Sequence, residues 1–241
     1  MKILWFSGGK DSMACLYLLR HSLSEITVLF LNTGKYYPEH VATVEKARAM
    51  CPNWIEVTAD RDAQWNANGL PADLVPIDWT RYGQQFSSRK QTTVQSYLQC
   101  CFENITAPLL AKSKELGATV IIKGQRTEDS HRSTAKNGDV VEGITYSHPI
   151  EDWTTAEVLA YLREQMGELP EHYALEHSSM DCYDCTAYAA HSHDRVAYMR
   201  ERHPAMYADY AGKLSRLCAA INTPLEHYRL LAETVGQPCQ Q

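Results

Sequence analysis

Short apolar runs alternate with stretches of helical spacing through the first two thirds of the chain. "KILWF" from Lys2 reads as a strand, and "DSMACLYLLRHS" from Asp11 as a helix with apolar residues at helical spacing. "ITVLFLNT" from Ile26 is a continuous apolar strand, and "EHVATVEKARAM" from Glu39 a second helix. The run "WIEVTA" from Trp54 gives another strand, a helix is expected from about Thr92 to Leu116, and "ATVIIKG" from Ala118 is a further strand. Strands separated by helices pair in parallel through right-handed crossovers. The pattern therefore predicts an α/β fold on a doubly wound, mostly parallel sheet. Ligands of such sheets bind at the carboxyl ends of the strands, where "SGGKDS", "LNTG" and "IKGQRTEDSHRST" all fall. From Asp60 to Arg89 no period is clear, and a mobile active-site loop is expected there. "SHPIEDWTTAEVLAYLREQ" carries a Thr-initiated helix, after which the chain becomes helical and rich in Tyr and His. The expected division is a nucleotide-binding α/β domain over residues 1–188 and a helical C-terminal extension over 189–241.

Composition narrows the class. With 241 residues and 44% hydrophobic content the chain can bury one sizeable core. A net charge of −6 gives no global electrostatic case for nucleic acid. No apolar run is long enough to span a bilayer, and the first residues read as a strand rather than a charged-then-apolar signal, so a cytoplasmic protein without membrane contact is expected. Eight cysteines are too few for a disulfide scaffold at this length. In a reducing compartment, clustered thiols suggest metal or redox chemistry instead.

The turn after the first strand carries the first chemistry. Gly8 and Gly9 let backbone amides approach an anion, and a helix starting near Asp11 points its positive end at the same place. Lys10 adds a formal charge, and Ser7 and Ser12 add hydroxyls. The spacing is not the Walker pattern, which needs four residues between its glycines. A plain strand-to-helix turn is the alternative reading.

"SGGKDS" resembles the PP-loop signature of ATP pyrophosphatases, which cleave ATP between its α and β phosphates. "FLNTGKYYPE" is similar to the second-strand element beside the nucleotide in adenylyl-sulfate and phosphoadenylyl-sulfate reductases. "GQRTEDSHRS" resembles the "G-x-R-x-x-x-S-x-x-R" segment of that superfamily. The resemblance runs from Met1 to about Tyr188. It implies a Rossmann-like fold of the adenine nucleotide α-hydrolase type. The nucleotide would be held by Ser7, Gly8, Gly9, Lys10, Asp11 and Ser12, by Asn32, Thr33 and Gly34, and by Gly124 and Gln125. Lys10, Asp11, Arg126 and Arg132 would be catalytic, with Arg126 and Arg132 near anionic groups, although Arg132 comes one residue early for the pattern. Mg²⁺ would bridge phosphate oxygens, with Asp11 or Asp129 as ligand.

Cys100 and Cys101 are adjacent, and Cys182 and Cys185 form "CYDC". A tandem pair plus a C-x-x-C fits a [4Fe-4S] cluster, because neighbouring helical residues diverge by about 100° and reach different corners of a cubane. The same pairing is similar to the cluster motif of the adenylyl-sulfate reductases. A zinc ion on the four thiolates and buried inert thiols are the alternatives. Cys15, Cys51 and Cys218 sit among helical or apolar neighbours as packing residues.

The chain also departs from the reductases it resembles. Those follow their tandem cysteines with Arg-Lys, where this chain has Asn104 and Ile105. They end in Glu-Cys-Gly-Leu-His, whereas this tail reads "VGQPCQQ", leaving Cys239 without an adjacent cation to activate it. Reductases given a preformed adenylate usually alter the Gly-Gly-Lys-Asp run, and here it is intact. The expected function is therefore an adenylating ATP pyrophosphatase carrying a [4Fe-4S] cluster for sulfur transfer or thiolation. The alternatives are a sulfonucleotide reductase making sulfite and a nucleotide-binding module without catalysis of its own. Expected partners are an adenine nucleotide, a nucleic-acid or small-molecule acceptor, a sulfur donor or thioredoxin-like reductant, and a second copy in a homo-oligomer. "RYGQQFSSRK", with Arg81, Arg89, Lys90, Tyr82 and Phe86, could touch phosphates and stack on bases, or be a solvated loop. His172, His177, His191, His193 and His203 crowd the later cysteines without a spacing that assigns a role.

Overall fold

The computed structural model describes residues 1–86, 92–129, 134–171, 173 and 182–236. Arg89, Lys90, Arg132, His172, His177 and Cys239 lie outside them. The chain divides into two compact units. One comprises Met1–Ala59 and Ile105–Tyr183, the other Asp60–Asn104 and Asp184–Gln241.

The first unit holds a six-stranded sheet. Its strands are β1 (Lys2–Phe6), β2 (Ile26–Asn32), β3 (Trp54–Thr58), β6 (Val120–Ile122), β7 (Val140–Val141) and β8 (Ile144–Ser147), in the order β3-β2-β1-β6-β8-β7. Every pairing is parallel except the edge pair β7–β8. That hairpin turns through Glu142 and Gly143, at φ 52° and 80°. The expected doubly wound, mostly parallel sheet is thus present.

The interior strands are apolar on both faces because both are covered. Leu4, Phe6, Val28 and Phe30 pack with Met13, Leu16 and Val44 on one face. Ile3, Trp5, Leu29, Leu31 and Ile121 pack with Leu109 on the other. Each such side chain contributes about 1.5–3 kcal/mol when fully buried. The helices of this unit are α1 (Lys10–Leu18), α2 (Pro38–Met50), α5 (Ala107–Glu115) and α6 (Thr155–Met166). Thr154 starts α6 with a capping box, in which its side chain and that of Glu157 each accept a backbone N–H. Trp153 and Tyr161 meet edge to face at 5.2 Å, packing at the start of this helix. Cys15 and Cys51 are buried, and burial pushes their thiols up to about 12 and about 11.

The second unit corrects the loop expected from Asp60 to Arg89. Asp60 caps helix α3 (Arg61–Asn68) by accepting from the Ala63 amide at 2.9 Å. Strand β4 (Leu70–Ala72) follows, with 3₁₀ turns at Ile77–Trp79 and Gly83–Gln85. The helix expected from about Thr92 also begins later. Val94–Ser96 is strand β5, paired in parallel with β4, and Ser96 caps α4 (Tyr97–Cys101). A π-helical turn, Phe102–Thr106, comes immediately after the tandem cysteines. Trp65, Leu70, Ala72, Val94, Leu217 and Ala220 form this unit's own core. Leu217 and Ala220 come from the helix Pro204–Thr234, which follows the helix His193–Arg202.

Candidate functional site

The glycine turn of the first unit is built for close approach. Gly8 has φ +84°, and a Cβ there would stand 2.7 Å from both His40 Nε2 and Val44 Cγ2. Gly9 is the N-cap of α1, in extended conformation with no side-chain cap, so the first amides of the helix remain directed at the turn. Ser12 Oγ donates to the Gly9 carbonyl at 3.0 Å and accepts from the Ser7 amide at 3.3 Å, tying the two sides together. Lys10 is buried, with its ammonium 2.7 Å from Asp11 Oδ2.

Gly124 shows the same economy of space. A Cβ there would lie 2.5 Å from the Asp11 carbonyl carbon and 2.8 Å from the Ser12 amide nitrogen, so the segment after β6 touches the first turn of α1 backbone to backbone. Two residues later, Arg126 is buried among carboxylates. Its Nε is 2.8 Å from Asp11 Oδ1, and its terminal nitrogens are 3.1 Å from Glu128 Oε2 and 3.1 Å from Asp129 Oδ1. The anionic groups beside Arg126 are thus the chain's own. As Mg²⁺ ligands, Asp11 and Asp129 would each have to exchange this arginine for the ion.

The second-strand segment is equally ordered. Asn32 Oδ1 accepts from the Gly34 amide at 2.8 Å, and Asn32 Nδ2 donates to Glu56 at 2.7 Å. Gly34 holds φ +73°. Thr33 is buried, and Cys182 Sγ donates to its hydroxyl at 3.7 Å. Tyr36 stacks on His40 with ring centroids 4.6 Å apart, which sets the imidazole under Gly8. The sequence gives no signal for His40, because a histidine on the covered face of a helix looks like any packing residue.

In the second unit, Cys100 is buried and its sulfur is met by N–H donors. Trp65 Nε1 stands at 3.2 Å and Asn104 Nδ2 at 3.6 Å, the latter also donating to the Cys100 carbonyl at 2.9 Å. Cys101 Sγ lies 3.6 Å from the Tyr188 hydroxyl. Burial pushes the Cys185 thiol up, with Cys101 and Asp184 adding to the effect, while the Ala187 amide and Arg195 oppose it. Arg195 also donates to the Cys185 carbonyl at 2.8 Å.

Asp184, between Cys182 and Cys185 in sequence, anchors this region. Arg61 binds it through both terminal nitrogens, at 2.5 and 2.8 Å, and Lys213 reaches it at 2.5 Å and Asp209 at 2.6 Å. Burial would raise the Asp184 carboxyl, but the hydrogen bonds and charges of Arg61 and Lys213 outweigh it and hold the group below its ordinary value. The Arg61 guanidinium lies over Trp65 at 4.1 Å, so the indole that serves Cys100 is itself held by the ion pair. An acid inside C-x-x-C was the one available sign of this cluster.

Among the described residues, no three His, Cys, Asp or Glu side chains are grouped so as to hold a single metal ion. The donors around Cys100 and Cys101 suit sulfurs that carry negative charge, the state in which cysteine binds iron or zinc. On donor chemistry Cys100 and Cys101 fit a thiolate-bound group, whereas burial favours the neutral thiol of Cys185. Arg81, Tyr82 and Gln85 border a cavity of about 530 Å³ with Gln95 and Gln99. Tyr82 and Phe86 are exposed and meet edge to face at 5.3 Å. Among the described residues, no helix is long and apolar enough to cross a membrane.

The family model described as "Phosphoadenosine phosphosulfate reductase domain" matches residues 2–188. No curated protein matches the chain. Among solved structures, the chain is similar to a phosphoadenylyl-sulfate reductase from Candida auris in a phosphate complex. The two share 18% identity, over 72% of this chain and 77% of that one, with a TM-score of 0.47. It is also similar to a predicted subunit of tRNA methyltransferase from Methanocaldococcus jannaschii, at 18% identity over 71% of this chain and 90% of that one, with a TM-score of 0.37.

Proposed function

This chain belongs to the phosphoadenosine phosphosulfate reductase domain family, and from that premise we propose that it is an adenylating enzyme that uses ATP and serves sulfur transfer to an acceptor. The observation that carries the reading is the complete turn from Ser7 to Ser12, with Lys10 and the first amides of α1 at one place. The amides and Lys10 bind the phosphates and neutralise charge as it moves toward the leaving group. Asp11 or Asp129 would hold Mg²⁺, the cation that accompanies the nucleotide. An acceptor oxygen attacks the α phosphorus and loses its proton. The bond from that phosphorus to the bridging oxygen breaks, and pyrophosphate departs. A sulfur nucleophile then forms its bond to the acceptor carbon as the C–O bond breaks and AMP leaves.

Cys100, Cys101, Cys182 and Cys185 would hold the [4Fe-4S] cluster. Such a group, when bound, supplies a site that carries or positions sulfur. Trp65 and Asn104 orient the Cys100 sulfur toward that role. The test is anaerobic incubation with ATP, Mg²⁺ and candidate acceptors. AMP and pyrophosphate should appear in equal amounts. Lys10→Gln should lower that rate about 10²–10³-fold, the usual effect of removing one charge-stabilising donor. ATP turnover equal to buffer with every acceptor would refute the reading.

The family match favours a second reading, reduction of a sulfonucleotide. Adenylyl sulfate would receive two electrons from a thioredoxin dithiol, giving sulfite and AMP as the dithiol becomes a disulfide. Sulfite release that requires thioredoxin would establish it.

A further inference from the structure

The two tandem cysteines meet different donors. Trp65 and Asn104 direct N–H groups at the Cys100 sulfur, whereas the Cys101 sulfur meets the Tyr188 hydroxyl at 3.6 Å. The strand pair β4–β5 accounts for the second of these contacts. Ala72 and Ser96 are register partners at the carboxyl ends of these parallel strands, so Asp73 and Tyr97 leave the pair side by side. Tyr188 is clamped across both.

Asp73 holds its backbone. The Asp73 carboxylate accepts from the Tyr188 amide through Oδ1 and from the Ala189 amide through Oδ2, each at 2.9 Å. On the other side of the residue, the Tyr188 carbonyl accepts from the His191 amide and from the Ser192 hydroxyl, both at 2.9 Å. Under these bonds Tyr188 has φ 59° and ψ 39°. A residue with a Cβ rarely adopts this left-handed conformation, and keeps it only where its surroundings over-determine it. The ring then lies against Tyr97, with centroids 4.7 Å apart. Tyr97 and Cys101 stand four residues apart on α4, one turn along the same face, so a tyrosine laid on that face with its ring at Tyr97 brings its hydroxyl to Cys101.

We propose that Tyr188 is the positioning residue for Cys101, its hydroxyl fixing the rotamer in which that sulfur is offered to a metal. The inference rests on the reading that the tandem cysteines bind metal as thiolates. A thiolate carries no proton, so at a charged sulfur the phenol is the donor. Groups placed behind a metal ligand orient it and steady its charge. Cys100 is oriented by Trp65 and Asn104, and Cys101 by Tyr188, so each of two adjacent sulfurs has its own support. The rotamer of Cys101 is then set when the chain folds rather than when the metal arrives, which removes an ordering cost from binding. Asp73 and Tyr97 act one step further back, through Tyr188.

The first readout uses the metal-free protein. NMR couplings across the Cα–Cβ bond of Cys101 should report one dominant rotamer in the wild-type chain and averaging in Tyr188→Phe, which keeps the ring and removes only the hydroxyl. The second readout uses protein loaded anaerobically with ferrous iron and sulfide, then challenged with a ferrous chelator. Tyr188→Phe should hold iron about 10–100-fold less tightly, the usual effect of removing a group that orients a metal ligand. Asp73→Ala should move both readouts in the same direction, because its hydrogen bonds hold the backbone of Tyr188. Equal couplings in the wild-type chain and Tyr188→Phe would overturn the proposal, and so would equal retention of iron by the two. A wild-type chain that takes up no iron would instead refute the metal reading of the cysteines, and the couplings alone would then decide whether Tyr188 holds Cys101. The Tyr188→Phe measurements suffice even if Asp73→Ala does not fold.

Discussion

Two buried arginines, one in each compact unit, are held in opposite ways. Arg126 takes two of its three carboxylates from its own segment, Glu128 and Asp129, and the third from Asp11 at the start of α1. Arg61 takes its partner, Asp184, from 123 residues away. The side chains of Arg126's partners are 23%, 48% and 28% exposed, whereas that of Asp184 is 0% exposed. Water can replace Arg126 at its acids and cannot reach the acid of Arg61. The first arrangement can open to exchange one ion for another, as the proposed nucleotide site requires. The second is fixed, as suits a support for the indole beneath Cys100.

The largest effect should therefore come from Arg61→Met, which leaves Asp184 with Lys213 alone. Removing one member of a buried pair costs about 3–5 kcal/mol, measurable as a fall in the urea midpoint. Arg126→Gln should cost about 1–2 kcal/mol, because its acids regain water. If Arg126→Gln proved the more damaging, the contrast between the two arginines would be wrong. Gly124→Ala should fall in a similar range, about 1–3 kcal/mol, since the new methyl meets the backbone of α1 rather than a side chain that can turn away. It should also weaken nucleotide binding, which titration calorimetry would read.

Acid should separate the units more gently. The folded state holds His148 below its ordinary 6.5, so the unfolded chain binds the extra proton first. That contribution is complete above 6.5 and is lost as pH falls below it. Asp184 is held below its ordinary 3.8, so its contribution is complete above 3.8 and is lost only at more acid pH. Stability measured against pH should therefore fall first through His148, and His148→Gln should remove that earlier loss. The smallest effect belongs to the exposed Lys114–Glu142 pair, whose removal should leave the urea midpoint unchanged.

What the sequence disclosed follows from where the partners lie. β1, α1, β2, α2 and β3 announce themselves because each covered face needs a long apolar run or a regular stripe. The glycine turn is legible because its residues are consecutive, and Gly124 and Arg126 stand out through the resemblance of their segment to the G-x-R-x-x-x-S-x-x-R pattern. α3 stayed hidden because the side chains it buries are Arg61 and Trp65 in an otherwise polar stretch. β4 is three residues long with Pro71 at its centre, and β5 is followed at once by a helix, which masks its short period. The bonds from Trp65 to Cys100 and from Arg61 to Asp184 could not be read, since no local spacing encodes them.

The depth of Cys15 and Cys51 has a practical consequence for anyone handling the molecule. Thiols that ionise only near 12 and 11 stay protonated at neutral pH, so a maleimide or iodoacetamide passes them by in the folded protein. Cys185, whose thiol burial also raises, and buried Cys100 are shielded in the same way, so alkylation reports chiefly Cys101, Cys182 and Cys218, and loss of label at Cys101 or Cys182 after anaerobic iron loading would mark a sulfur the metal has claimed.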